Sequence, residues 1–204
     1  MNEADDAVPF ALQAAGAIQL ETGTGGVVVR GHGRLARLLS FDEALLLAFR
    51  RHHRPWRTTL ARTLTRLGDG TSWAVVGLAC LSTYTAQGIH LGLRLGAATG
   101  IATVLSQALK RSLTRARPDV SIIGFEALAQ NPDRFSFPSG HTAAAFGVSL
   151  AFAGEPYGLG PLSLLLAVGI GLSRVYLGAH YPLDVAAGAL LGVCAGLASR
   201  LLVA

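Results

Sequence analysis

Residues 71–93, TSWAVVGLACLSTYTAQGIHLGL, run for 23 positions without an Asp, Glu, Lys or Arg. The hydrocarbon core of a bilayer is about 30 Å thick, and roughly 20 apolar residues of α-helix cross it. The stretch therefore reads as a transmembrane helix. It sets the class of the chain as all-α, an integral membrane helical bundle.

Four more apolar runs follow. Residues 95–109 (LGAATGIATVLSQAL) lie between Arg94 and Lys110. Residues 142–154 (TAAAFGVSLAFAG) are short for a span, and cross only if the polar residues at their mouth sit at membrane depth. Residues 156–173 (PYGLGPLSLLLAVGIGLS) and 183–204 complete the set, the last interrupted only by Asp184 and Arg200. Gly and Ala recur in all of them, as close packing of membrane helices requires. The expectation is about five transmembrane helices over 71–204. Residues 110–141 are polar, carry Pro118, Pro132 and Pro138, and read as a loop.

Composition agrees. Of the 204 residues, 51% are hydrophobic and only 14% charged, against roughly 25% charged in soluble domains. Mean hydropathy is +0.46. Nine of the 17 basic residues precede position 70, all of them Arg, and Lys110 is the single lysine. Cys80 and Cys194 sit in apolar runs without CxxC spacing, so they read as buried thiols rather than metal ligands.

The N-terminal third differs. Residues 7–20 (AVPFALQAAGAIQL) follow Glu3, Asp5 and Asp6 with no preceding Lys or Arg, so they lack the basic start of a signal peptide. They are also shorter than a span. Residues 22–33 (TGTGGVVVRGHG) lack the G-K-[ST] ending of a P-loop and read as a turn or short hairpin with no phosphate role. Within 43–67, Leu60, Leu64 and Leu67 share a helical face that Arg62 and Arg66 avoid, with Trp56 near the start. This suggests an amphipathic helix lying in the membrane interface, or alternatively one packed on the bundle. The expected organisation is a loosely defined segment 1–40, the amphipathic helix 41–70 and a membrane domain 71–204.

Three clusters at the ends of the apolar runs carry chemistry. In Lys110-Arg-Ser-Leu-Thr-Arg-Ala-Arg117-Pro118, the two outer cations are seven apart, almost two turns on a continuing helix, and so face one way. Arg offers a planar fork and Lys a point charge to a phosphate; the other reading is a basic edge that fixes topology. Phe137-Pro138-Ser139-Gly140-His141-Thr142 precedes an apolar helix. Ser139 suits an N-cap, Gly140 permits close approach, and the free N–H groups of Gly140 and His141 favour an anion. An ordinary helix cap would look the same. In Ser173-Arg174-Val-Tyr-Leu-Gly-Ala-His180-Tyr-Pro-Leu-Asp184, an Asp four residues from a His could fix its tautomer, or the pair could simply close a turn. Pro182 suits the first position of the last helix. Counting helices puts all three clusters on one membrane face. Three cations, a helix N-terminus and two histidines meeting there would build a phosphoryl-transfer site.

The pattern K-x6-R-P, P-S-G-H, S-R-x5-H-x3-D, complete here over 110–184, resembles the signature of the type 2 phosphatidic acid phosphatase superfamily. The resemblance extends over roughly 71–204. It implies that Lys110, Arg117, Ser139, Gly140 and Arg174 bind phosphate, and that His180 attacks phosphorus to form a phosphohistidine. Asp184 would orient His180, and His141 would protonate the leaving oxygen. No cofactor and no metal are implied. The expected substrate is a lipid or polyprenyl phosphate or pyrophosphate in a membrane, with membrane lipids as the surroundings and no nucleic acid as a partner. A vanadate-dependent haloperoxidase and a non-catalytic binder of anionic lipid are the alternatives. Many bacterial relatives have six membrane helices, whereas no convincing span precedes residue 71. With five helices, the N-terminal segment and the site share a face. The bacterial inner membrane is the expected location, with the side of the site, the lipid and the oligomeric state open.

Overall fold

The computed structural model describes residues 18–23, 26–31, 34–129 and 133–203. The reading of residues 7–20 falls mostly outside them. The glycine-rich stretch is a hairpin. Strands β1 (Ile18–Gly23) and β2 (Gly26–Gly31) pair antiparallel, from Ile18 opposite Gly31 to Gly23 opposite Gly26.

Where one helix was read over 41–70, there are two: α1 (Arg34–Arg50) and α2 (Pro55–Leu67). Pro55 occupies the first turn of α2, where its missing N–H costs nothing and its fixed φ suits the helix. Helix α2 packs along α7 (Leu159–Tyr176). Ala61 turns inward and is buried, while Trp56, Leu60 and Leu67 stay exposed.

The run 71–93 is not one helix. Helix α3 (Gly70–Leu81) stops after 12 residues. The chain turns through Ser82–Thr85, with Tyr84 at φ 53° and Thr85 Oγ1 accepting from the Gly88 N–H at 3.0 Å. Helix α4 (Ala86–Leu113) then continues unbroken through Arg94 for 28 residues. Thr85 is an N-cap inside an apolar window; hydropathy averaged across it conceals the break. A four-residue helix, α5 (Pro118–Ser121), lies within the polar connection to α6 (Gly140–Ala151). Helices α7 and α8 (Pro182–Leu202) finish the chain.

Among the described residues, three helices are long and apolar enough to cross a membrane: Ala86–Leu113, Leu159–Tyr176 and Pro182–Leu202. The bundle is integral to a membrane. Its large apolar side chains face outward, with Val75, Val104, Leu165, Leu190 and Leu201 all exposed. Its centre is built of Ala98, Ala102, Ala143, Ala145, Ala167 and Ala195. Lipid tails solvate leucine as well as protein does, so small residues at the helix crossings decide the packing. Cys194 therefore points outward, exposed on α8, and Cys80 is half-buried; the apolar run did not tell lipid-facing positions from buried ones.

Helix α6 packs between α4, α7 and α8. Its seam with α8 carries Gly188, Gly192 and Gly196 on one face. A Cβ at Gly188 would stand 2.5 Å from the Ser139 carbonyl. Arg200 donates to the Leu150 carbonyl at 3.2 Å and also to Ala153 O, closing the far end of α6. At that end Arg94 faces Glu155 at 3.9 Å and donates to Val203 O at 2.8 Å.

Candidate active site

The end of α4, the starts of α6 and α8 and the end of α7 meet at one end of the bundle. The residues read from the three clusters meet there too, and Lys110, Arg117, Ser139, Arg174, His180 and Asp184 are all buried. Lys110 and Arg117 do not share a helix, however. Helix α4 ends at Leu113, Thr114 takes a left-handed conformation at φ 42°, and Arg117 is extended. The two cations converge because the chain doubles back, not through helical periodicity.

A carboxylate joins them. Asp133 is ion-paired to Lys110 Nζ and to Arg117 Nη2, and its carbonyl accepts from Arg117 Nε at 2.9 Å. Burial pushes the Asp133 carboxyl up, but the hydrogen bonds and charges of Lys110 and Arg117 outweigh it and hold it below the usual carboxylate range. Arg117 Nη1 donates to Ala179 O at 2.6 Å and lies 3.5 Å from His180 Nε2. A guanidinium cannot accept, so Nε2 presents its lone pair. Burial, then the charges of Arg174, Arg117 and Lys110, push the His180 imidazole well below its ordinary range. Its neutral form is favoured.

On its other side, His180 Nδ1 lies 3.6 Å from Asp184 Oδ2. That is longer than a hydrogen bond, and Nδ1 has no hydrogen-bond partner among the described residues. Asp184 is engaged elsewhere. Its Oδ2 accepts from the Tyr181 N–H at 2.9 Å and its Oδ1 from Arg115 Nη1 at 2.7 Å. Pro182 opens α8 as the sequence suggested.

Ser139 occupies the N-cap position of α6, but its side chain makes no cap bond; Oγ accepts from Thr142 Oγ1 at 2.9 Å. The N–H groups of Gly140 and His141, in the first turn, have no intrahelical acceptor, so the helix presents two free donors and its positive end. The Ser139 N–H bonds Asp184 O at 3.0 Å, tying the start of α6 to that of α8. Arg174 donates through Nη1 to Thr65 Oγ1 at 2.7 Å. His141 Nε2 lies 2.7 Å from Asp69 Oδ1.

Sequence reasoning missed Asp42, Thr65, Asp69, Arg115 and Asp133. Arg115 and Asp133 stand within or just before two of the clusters. The other three belong to the N-terminal helices and their turns, so these helices pack on the same face as the site. Three acids stand between Lys110 and Pro138, namely Asp119, Glu126 and Asp133, and nothing local singles out the one that pairs with the cations.

The arrangement can bind a tetrahedral anion with fixed cations and N–H donors, and offers it two imidazoles, both pushed toward the neutral form, one of them backed by a carboxylate. Comparison with known proteins agrees. Over 81 residues the chain is 41% identical to the bacitracin transport permease protein BcrC of Bacillus licheniformis, covering 40% of each. It is 40% identical over 82 residues to the decaprenylphosphoryl-5-phosphoribose phosphatase of Mycobacterium tuberculosis, covering 40% of this chain and 44% of that one. The chain thus aligns with less than half the length of these curated relatives. The crystal structure of a transmembrane PAP2-type phosphatidylglycerolphosphate phosphatase from Bacillus subtilis superposes with TM-score 0.68 at 27% identity, covering 84% of this chain and 87% of that one. The profile of the PAP2 superfamily matches residues 91–204, more than half of the sequence and every one of the three clusters, and the chain belongs to that superfamily.

Proposed function

We propose that the protein is a membrane phosphatase that removes the terminal phosphate of a lipid or polyprenyl phosphate or pyrophosphate. One observation carries the reading: Lys110, Arg117 and Arg174, all buried, converge with the α6 N-terminus on His180. Asp133 supplies an anion to Lys110 and Arg117 here, and a phosphate is an anion of the charge and shape to take its place among buried cations.

In this reading Lys110, Arg117, Arg174 and the N–H groups of Gly140 and His141 hold the phosphate oxygens. Ser139 shapes the turn. The lone pair of His180 Nε2 forms the N–P bond as the P–O bond to the lipid breaks, and the departing oxygen takes a proton from His141. A water then attacks phosphorus, gives its proton to His141, and the N–P electron pair returns to Nε2. Asp184 carries the charge that develops on His180. Relatives named for decaprenyl and phosphatidylglycerol phosphates support a lipid substrate. The bacterial inner membrane fits such substrates. The exposed Trp56, Leu60 and Leu67 of α2 suit an interfacial position for the N-terminal helices.

The test is phosphate release by detergent-purified protein across a panel of diacyl and polyprenyl phosphates, in excess chelator. Acid-labile ³²P should be trapped on wild type. His180→Ala should trap none and lose turnover by on the order of 10⁴-fold or more. A variant retaining a few per cent of activity would overturn the assignment.

A further inference from the structure

Asp69 stands outside all three clusters, 72 residues before His141, yet its Oδ1 lies 2.7 Å from His141 Nε2. It occupies the N-cap position of α3 without capping it. Its carbonyl accepts from the Ser72 and Trp73 N–H groups at 3.0 and 3.3 Å, while its carboxylate is turned to the histidine. The turn that carries it is fixed against α7, since a Cβ at Gly68 would stand 2.7 Å from Ile170 Cγ2. One turn earlier, Thr65 receives Arg174. The Asp69 side chain is 46% exposed and that of His141 27%, so the pair spans the boundary between water and the site.

The charged and titratable groups facing His141 are Asp69 from the α2–α3 turn, Arg174 from α7, Lys110 from α4 and His180 from the loop before α8. Asp69 alone among them is negative. A general acid must hold its proton until the leaving oxygen takes it; burial works against that, then Arg174 and Lys110, and together they push the His141 imidazole down to about 4, with Asp69 the one group that raises it.

We infer that Asp69 is the positioning carboxylate of His141: it holds the Nε2 proton, stabilises the imidazolium, and leaves Nδ1 as the nitrogen that exchanges a proton with the leaving group. The inference rests on the phosphatase reading above. Asp69 touches no substrate atom, and acts through His141.

Asp69→Asn, Asp69→Glu, His141→Ala and the Asp69→Asn/His141→Ala double variant should be assayed on an alkyl lipid phosphate and on p-nitrophenyl phosphate. The nitrophenolate leaves without help, whereas the alkoxide needs the proton. Asp69→Asn should lower the rate of the first turnover on the lipid ester by on the order of 10–10²-fold, with KM and the first-turnover burst of nitrophenolate little changed. It should move the alkaline limb of the kcat/KM profile to lower pH by about 1–3 units. Asp69→Glu, which keeps the charge, should restore the limb. In the His141→Ala background Asp69→Asn should cost nothing further. An unmoved alkaline limb, or an added cost of Asp69→Asn in the His141→Ala background as large as its cost in wild type, overturns the inference while His141→Ala still distinguishes the two esters. If His141→Ala does not distinguish them, the acid assignment itself fails, and the role of Asp69 with it. If Asp69→Asn does not fold, Asp69→Ser takes its place as the uncharged variant, and an alkaline limb unmoved from that of wild type overturns the inference.

Discussion

Arg115 donates through Nη1 to Asp184 Oδ1 at 2.7 Å. Its Nη2 donates to Asp42 Oδ2, also at 2.7 Å, and the guanidinium lies 4.0 Å from the centre of the Tyr181 ring. Asp42 Oδ1 accepts from the Leu183 N–H at 2.8 Å. One cation from the α4–α5 connection thus joins α1 to the first turn of α8. Asp42 and Asp184 are both buried.

Removing Arg115 leaves two buried carboxylates without their shared counter-charge. Arg115→Ala should destabilise the protein by about 3–5 kcal/mol. Asp42→Ala should cost less, because Arg115 keeps Asp184. Thermal unfolding in one detergent would rank them; the reverse order would show that α1 is held by its capping bond to Leu183 rather than by the ion pair.

Asp133 occupies the cations that a phosphate would use in the proposed mechanism, so substrate and carboxylate would compete. Asp133→Asn should lower KM and the inhibition constant of inorganic phosphate by on the order of tenfold, at similar kcat. Because its carboxyl is held below the usual carboxylate range, the competition persists at every pH above that range and is relieved only in stronger acid. A raised KM in Asp133→Asn would mean that the carboxylate shapes the cradle instead.

The pH profile should show the shifted His180. In the proposed mechanism its neutral form attacks, and its proton affinity in the fold is depressed by burial and by Arg174, Arg117 and Lys110. The acid limb of kcat/KM that it sets should therefore lie below the ordinary imidazole range near pH 6.5. Lys110→Met removes one opposing charge and should move this acid limb of kcat/KM upward. A wild-type limb at 6.5 would place His180 in a wetter site than its burial implies.

The sequence made the cluster residues legible because each is anchored to a helix end, and helix ends show in hydropathy, Pro and Gly. Lys110 closes an apolar run, Ser139 and Gly140 open one, and Pro182 opens the last. What joins the clusters is long-range. Asp42 meets Arg115 across 73 residues and Asp69 meets His141 across 72; nothing local marks an aspartate for such a partner. Arg115 looks like any arginine at a membrane edge. The break at Ser82–Thr85 was written in the polar run Ser-Thr-Tyr-Thr, but one capping bond does not register in a window of 20 residues.

The charged layers of the bundle lie close together. Lys110 and Arg94 are sixteen residues apart on the unbroken α4, which is about 24 Å at 1.5 Å per residue, against roughly 30 Å of hydrocarbon. A bilayer of ordinary thickness must thin around the bundle or stand proud of the cradle. Turnover then depends on the host membrane as well as on the headgroup. The same purified protein should run faster in short-chain than in long-chain phosphatidylcholine, with no change in any residue that touches phosphate.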